Sequence, residues 1–132
     1  MDRAEWSEHQ TATIGAIATT TAYNEGDPWF QDALQYVKRN FMLVDEEMHG
    51  RFNKVGYVKP QGTYIAWLDF KPLGITDPAA YFLDRAKVAL TDGKECGTIG
   101  QGCVRMNFAM PRPLLRNCFD RMYVALHEDG LL

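Results

Sequence analysis

The chain has 132 residues, 46% of them hydrophobic and 23% charged, with a formal net charge of −3. This is the size and composition of one compact domain able to bury a core. The negative balance excludes a nucleic-acid or membrane-surface binder, which needs clustered positive charge, and no window reaches the roughly 18 uninterrupted apolar residues of a membrane span.

Residues 4–24 predict a helix. Its stretch from Thr11 to Ala22 carries no charge, whereas a solvated helix shows a charged face. That predicts burial on most sides, against a partner largely outside this chain. A second helix opens at Asp27-Pro28, a cap followed by a first-turn proline. Trp29, Ala33, Val37, Phe41, Val44 and Met48 give it an apolar stripe at helical spacing, and Gly50 stops it. Strands follow at Phe52–Val58 and Thr63–Phe70, joined by a turn at Pro60-Gln61-Gly62. In the second strand Tyr64, Ala66, Leu68 and Phe70 share one face, and Ile65, Trp67 and Asp69 the other. Both faces are largely apolar, which predicts a central strand covered on both sides.

Asp77-Pro78 repeats the cap-plus-proline signal and opens a helix to about Val88, with a possible short strand at Val88-Ala89-Leu90. Residues 91–102 are glycine-rich, with Gly93, Gly97, Gly100 and Gly102 and few bulky anchors, so the loop is expected to take its shape from what it covers. Cys103–Ala109 alternates strictly as a strand. Pro111 and Pro113 break it, and a last helix runs from about Pro113 to Glu128 with Gly130 just past its end. The order predicts an α+β domain, a small, mainly antiparallel sheet packed with helices.

Val104, Met106 and Phe108 form the core side of the last strand, so alternation sends Arg105 and Asn107 to the opposite face. A guanidinium there can bind a carboxylate through two parallel hydrogen bonds; a surface arginine on an amphipathic strand is the plainer alternative. The glycine loop precedes a strand and not a helix N-terminus, which argues against a phosphate cradle. Cys96 has Lys94 nearby but no adjacent histidine to act as base. Asp27 and Asp77 read as helix caps. Cys96, Cys103 and Cys118 are odd in number and form no C-x-x-C pair, and His9, His49 and His127 are scattered. Neither a disulfide framework nor a zinc site is expected. With no basic-then-apolar leader after Met1, this predicts a reducing, cytoplasmic setting.

Gly100 to Arg112, in the form Gly-x-Gly-x-Val-Arg-Met-Asn-x-Ala-x-Pro-Arg, resembles the C-terminal signature of fold-type I pyridoxal-phosphate (PLP) enzymes. Pro60-Gln61-Gly62-Thr63-Tyr64-Ile65-Ala66-Trp67-Leu68-Asp69 and Ala89-Leu90-Thr91-Asp92-Gly93 resemble further blocks of the cystathionine β-lyase-like C–S lyase branch of the aminotransferases. The resemblance runs over essentially the whole chain. Lys94-Glu95-Cys96 departs from it, where the branch usually has a small residue after the first glycine and an aromatic before the second.

The resemblance implies that residues 1–132 are the C-terminal small domain of a larger PLP enzyme, with the helix of residues 1–26 packing on a missing large domain. It implies that Arg105 grips the substrate α-carboxylate, that Asn107 supports that strand, and that Tyr64 joins them in substrate binding. It implies an amino-acid substrate, a C–S lyase or aminotransferase activity and a homodimer. The Schiff-base lysine and the PLP site are assigned to the large domain, because Lys38, Lys54, Lys59, Lys71, Lys87 and Lys94 sit in no serine-rich stretch. The fragment alone is expected to be inactive. The alternative is a stand-alone α+β domain that binds small ligands or regulates.

Overall fold

A computed structural model describes residues 12–132, which fall into two compact units, one ending at Tyr36 and the other running from Val37 to Leu132. The first unit holds helix α1 (Thr13–Glu25) and the opening turns of helix α2 (Asp27–His49). Residues 4–11 of the expected first helix, and His9, lie outside the described residues. Thr19 and Thr20 bond back to the carbonyls of Gly15 and Ala16, at 2.8 and 3.0 Å, spending their hydroxyls within the helix. No α1 residue is buried among the described residues. Asp27 lies inside the first turn of α2 and does not precede it, since the Phe30 N–H already reaches the Gly26 carbonyl. A carboxylate there still suits the helix dipole. Trp29, placed by spacing at the head of the apolar stripe, is 75% exposed.

The second unit is a four-stranded antiparallel sheet with helices packed on one face. Its strands are β1 (Gly56–Tyr57), β2 (Ile65–Asp69), β3 (Thr91–Asp92) and β4 (Cys103–Asn107), in the spatial order β1-β2-β4-β3. Helices α3 (Pro78–Arg85) and α4 (Arg112–Glu128) complete it. This is the expected α+β class. From α2, Leu43, Val44 and Met48 enter the core, while Val37 and Phe41 pack against its edge. Ala66 and Leu68 of β2 and Val104 and Met106 of β4 form the buried face, joined by Phe82 of α3 and Phe119 of α4. Ring pairs Phe70–Phe82 and Phe52–Phe119, at 4.9 and 5.5 Å between centroids, pack edge to face and join helices α3 and α4 to the segments flanking the sheet.

Several boundaries move for local reasons. The run from Phe52 forms a turn, with the Val55 N–H on the Phe52 carbonyl at 2.9 Å, so both side chains point into the core and pairing begins only at Gly56. Helix α3 ends at Arg85, because Lys87 takes a left-handed φ of 52° and Val88 bonds back to the Phe82 carbonyl. The Asp77 cap is as read, its Oδ1 accepting from the Ala80 N–H at 3.1 Å. The short strand falls at Thr91–Asp92, just past Val88-Ala89-Leu90.

The glycine loop is shaped from within. Two 3-10 turns, Gly93–Cys96 and Thr98–Gly100, bring Gly93 and Gly100 into backbone contact. A Cβ on Gly100 would lie 1.9 Å from the Gly93 carbonyl oxygen. Gly100→Ala therefore has to open this crossing and is expected to cost about 1–3 kcal/mol in urea denaturation; parental stability would show that the loop does not depend on it.

The C-terminus is tied down by charge. Asp129 accepts from Tyr81 at 2.8 Å and pairs with Arg85. The guanidinium, then the phenol, hold its carboxyl below the usual carboxylate range. A depressed carboxylate stabilises the fold above its unfolded pKa, and that contribution disappears as pH falls through the folded value. Asp129→Asn is expected to flatten the decline of stability below about pH 4. An unchanged acid slope would remove this tie from the account.

Candidate functional site

Strand β4 is the middle of the site. It is flanked on one side by β2, with Ile65 opposite Asn107, Trp67 opposite Arg105 and Asp69 opposite Cys103. On the other side Thr91 of β3 stands opposite Arg105. Because side chains alternate, the row Trp67–Arg105–Thr91 points away from the helices, beside the row Ile65–Asn107. Arg105 and Asn107 are exposed and Trp67 is 39% exposed. The expected cover on the second face of β2 is therefore absent among the described residues. Two-sided apolarity marks β2 as central, as it is, but leaves its outer face partly open.

Neighbouring charges do not neutralise Arg105. Among the described residues its guanidinium has no ion pair and no hydrogen bond. Four of the six lysines are paired. Lys59 meets Asp45 at 2.8 Å, Lys71 meets Asp69 at 3.3 Å, Lys87 meets Asp84 at 3.7 Å and Lys94 meets Asp77 at 3.1 Å. Asn107 has a local role, its Oδ1 accepting from the Ala109 N–H at 2.8 Å as the strand ends. A hollow of about 130 Å³ opens beside these two residues, with Leu90, Thr91, Met110 and Cys118 on its walls and no lysine among its lining. Burial pushes the Cys118 thiol pKa up.

Arg105 and Asn107 both line this hollow, and Tyr64 is not among its lining. Tyr64 precedes β2, is 50% exposed, and has the parity of Ala66 and Leu68. Its carbonyl accepts from the Phe108 N–H at 2.9 Å. Thr63 before it holds a left-handed φ of 66° and accepts from the Ile65 N–H at 2.9 Å, an unusual conformation for a β-branched residue. Cys96 is an exposed loop thiol. His49 bonds to the backbone of its own helix, and no group of metal-binding side chains occurs among the described residues.

Sequence reasoning missed two residues that shape this face. Trp67 was legible as sharing a face with Ile65 and Asp69, but its place opposite Arg105 depends on register, which one sequence does not reveal. Asn40 is completely buried, and its signal was a polar residue within the core-facing stretch Val37–Val44.

The profile of the family described as aminotransferase class I and II matches residues 2–122. A relative from Mycobacterium leprae, provisionally named cystathionine beta-lyase, is 36% identical over 89% of this chain and 33% of its own length. Protein MalY of Escherichia coli is 35% identical over 79% of this chain and 27% of its own. Among solved structures, the PLP-bound C-S lyase from Staphylococcus hominis superposes with a TM-score of 0.83 at 24% identity, over 94% of this chain and 34% of that one, a likeness of fold. The chain spans about a third of the length of the curated relatives it matches. With its core motifs, its sheet order and its profile in agreement, this chain belongs to the class I and II aminotransferase family.

Proposed function

We propose that this chain is the small domain of a PLP-dependent enzyme acting on amino acids, a C–S lyase of the cystathionine β-lyase kind or an aminotransferase, and that Arg105 binds the substrate α-carboxylate. The observation that carries the reading is a guanidinium without an ion pair among the described residues, on the open face of a strand held by ladders on both sides. Relatives named cystathionine beta-lyase, such as the Corynebacterium glutamicum protein at 34% identity over 83% of this chain, support the lyase side. The Bacillus subtilis relative named for N-acetyl-LL-diaminopimelate aminotransferase, at 31% identity, keeps transamination open.

The hollow beside Arg105 does not fit PLP itself. The hollow beside Arg105 holds about 130 Å³, below the roughly 300 Å³ at which ligand pockets begin, and no lysine borders it. The cofactor falls to parts of the enzyme outside this chain. What these residues supply is orientation. The planar fork of Arg105 meets both oxygens of a carboxylate, fixing direction as well as charge. Trp67 and Thr91 stand opposite it on the two neighbouring strands. A substrate held at its carboxylate has its reacting bonds aimed without further entropy loss.

Removing one partner of such a charge pair costs about 3–4 kcal/mol, or two to three orders of magnitude in rate. In the complete enzyme, Arg105→Ala is expected to lower kcat/KM by that factor while the visible absorbance of bound PLP persists. An unchanged kcat/KM would overturn the assignment. The isolated 132-residue chain is expected to show no saturable binding when titrated with amino acids by calorimetry. Saturable binding would favour a stand-alone carboxylate-binding domain.

A further inference from the structure

Asn40 is completely buried, alone in this among the polar and charged residues described. It lies on α2, far in sequence from the strand that carries Arg105. Its Nδ2 donates to the Phe108 carbonyl at 2.8 Å and to the Met110 carbonyl at 2.7 Å. Its Oδ1 has no partner among the described residues. Buried polar atoms are nearly always paired, so the unpaired oxygen asks for a reason.

The reason is visible in what the amide holds. The pairing of β4 with β2 ends at Ile65–Asn107. Beyond it the chain must turn within four residues into α4, and Pro111 has no N–H to help. The Asn107 side chain sits inside this turn, accepting from the Ala109 N–H. Next to Asn40, the Arg39 carbonyl accepts from the Arg112 guanidinium, so two consecutive residues of α2 hold both ends of the exit. A leucine at position 40 would fill a similar volume but leave two carbonyls unpaired. The exit would then relax toward new donors, moving Asn107 first and Arg105, two residues earlier, next.

We infer that Asn40 is a positioning residue for the carboxylate-binding strand, pinning the exit of β4 so that Arg105 and Asn107 keep their setting. The inference rests on the reading of Arg105 as the carboxylate anchor. Its action is through the backbone, and Asn40 itself touches no substrate.

The test uses the complete enzyme and its amino-acid substrate, at a temperature where circular dichroism shows every variant folded. Asn40→Leu is expected to raise KM about tenfold or more, as a misplacement of this kind does, with a smaller change in kcat. Asn40→Ser, which keeps one donor, is expected to fall between Asn40→Leu and the parent. Tyr81→Phe is the control, since it removes hydrogen bonds to Ala125 and Asp129 and lowers stability without touching the exit. In the 132-residue chain, Asn40→Leu is also expected to speed amide exchange at Phe108 and Ala109 while leaving the Cys103 end of β4 protected. Parental KM in both Asn40 variants, or an equal rise in Tyr81→Phe, would overturn the positioning role. Arg105→Ala, run alongside, separates the two layers. If it leaves KM unchanged, the carboxylate reading fails; if it raises KM while the Asn40 variants do not, only the positioning role is lost.

Discussion

The antiparallel register that sets Trp67 opposite Arg105 is the constraint on which the rest depends. A slip of one residue between β2 and β4 would turn every side chain of one strand to the other face. Val104 and Met106 would leave the core, and the guanidinium would enter it. The apolar face prevents this, because Ala66, Leu68, Val104 and Met106 are all buried against the helices. The burial that folds the domain is therefore also what exposes Arg105. Site and core are two faces of one ladder.

Charge is distributed in the same spirit. The acidic side chains Asp45, Asp69, Asp77 and Asp129 each hold a local cation and contribute ties between elements. Most are exposed pairs, worth little individually in stability. None of these four carboxylates pairs with Arg105. A charge that is mounted rigidly and left unneutralised is prepared for an external anion, and the planar guanidinium favours a carboxylate. The glycine crossing at Gly93 and Gly100 lets the preceding loop fold back close enough to deliver β4 into the sheet.

Much of this was legible in the sequence. Alternation in Cys103–Ala109 separated Val104 and Met106 from Arg105 and Asn107 without any structure. The Asp77-Pro78 signal located a helix start, and the motif blocks indicated the family. What was not legible follows from physics that one sequence does not encode. Phe52 and Val55 read as strand because their apolarity has no period of its own; a turn buries them equally well. The small-residue helix at Thr13–Glu25 gave no amphipathic pattern from which to choose a buried face. Tyr64 falls just before the paired stretch that begins at Ile65, and the left-handed Thr63 before it gave no residue-type warning. Asn40 was hidden because its two acceptors lie 68 and 70 residues away.

The open sheet face is proposed to meet a substrate carboxylate at Arg105. The most direct measurement is a crystal structure of the complete enzyme with a bound amino-acid analogue. Both carboxylate oxygens are expected on the Arg105 guanidinium, between Trp67 and Thr91, with Asn107 still bonded to the Ala109 amide. A carboxylate bound elsewhere, with Arg105 turned onto an acidic side chain of the protein, would contradict it.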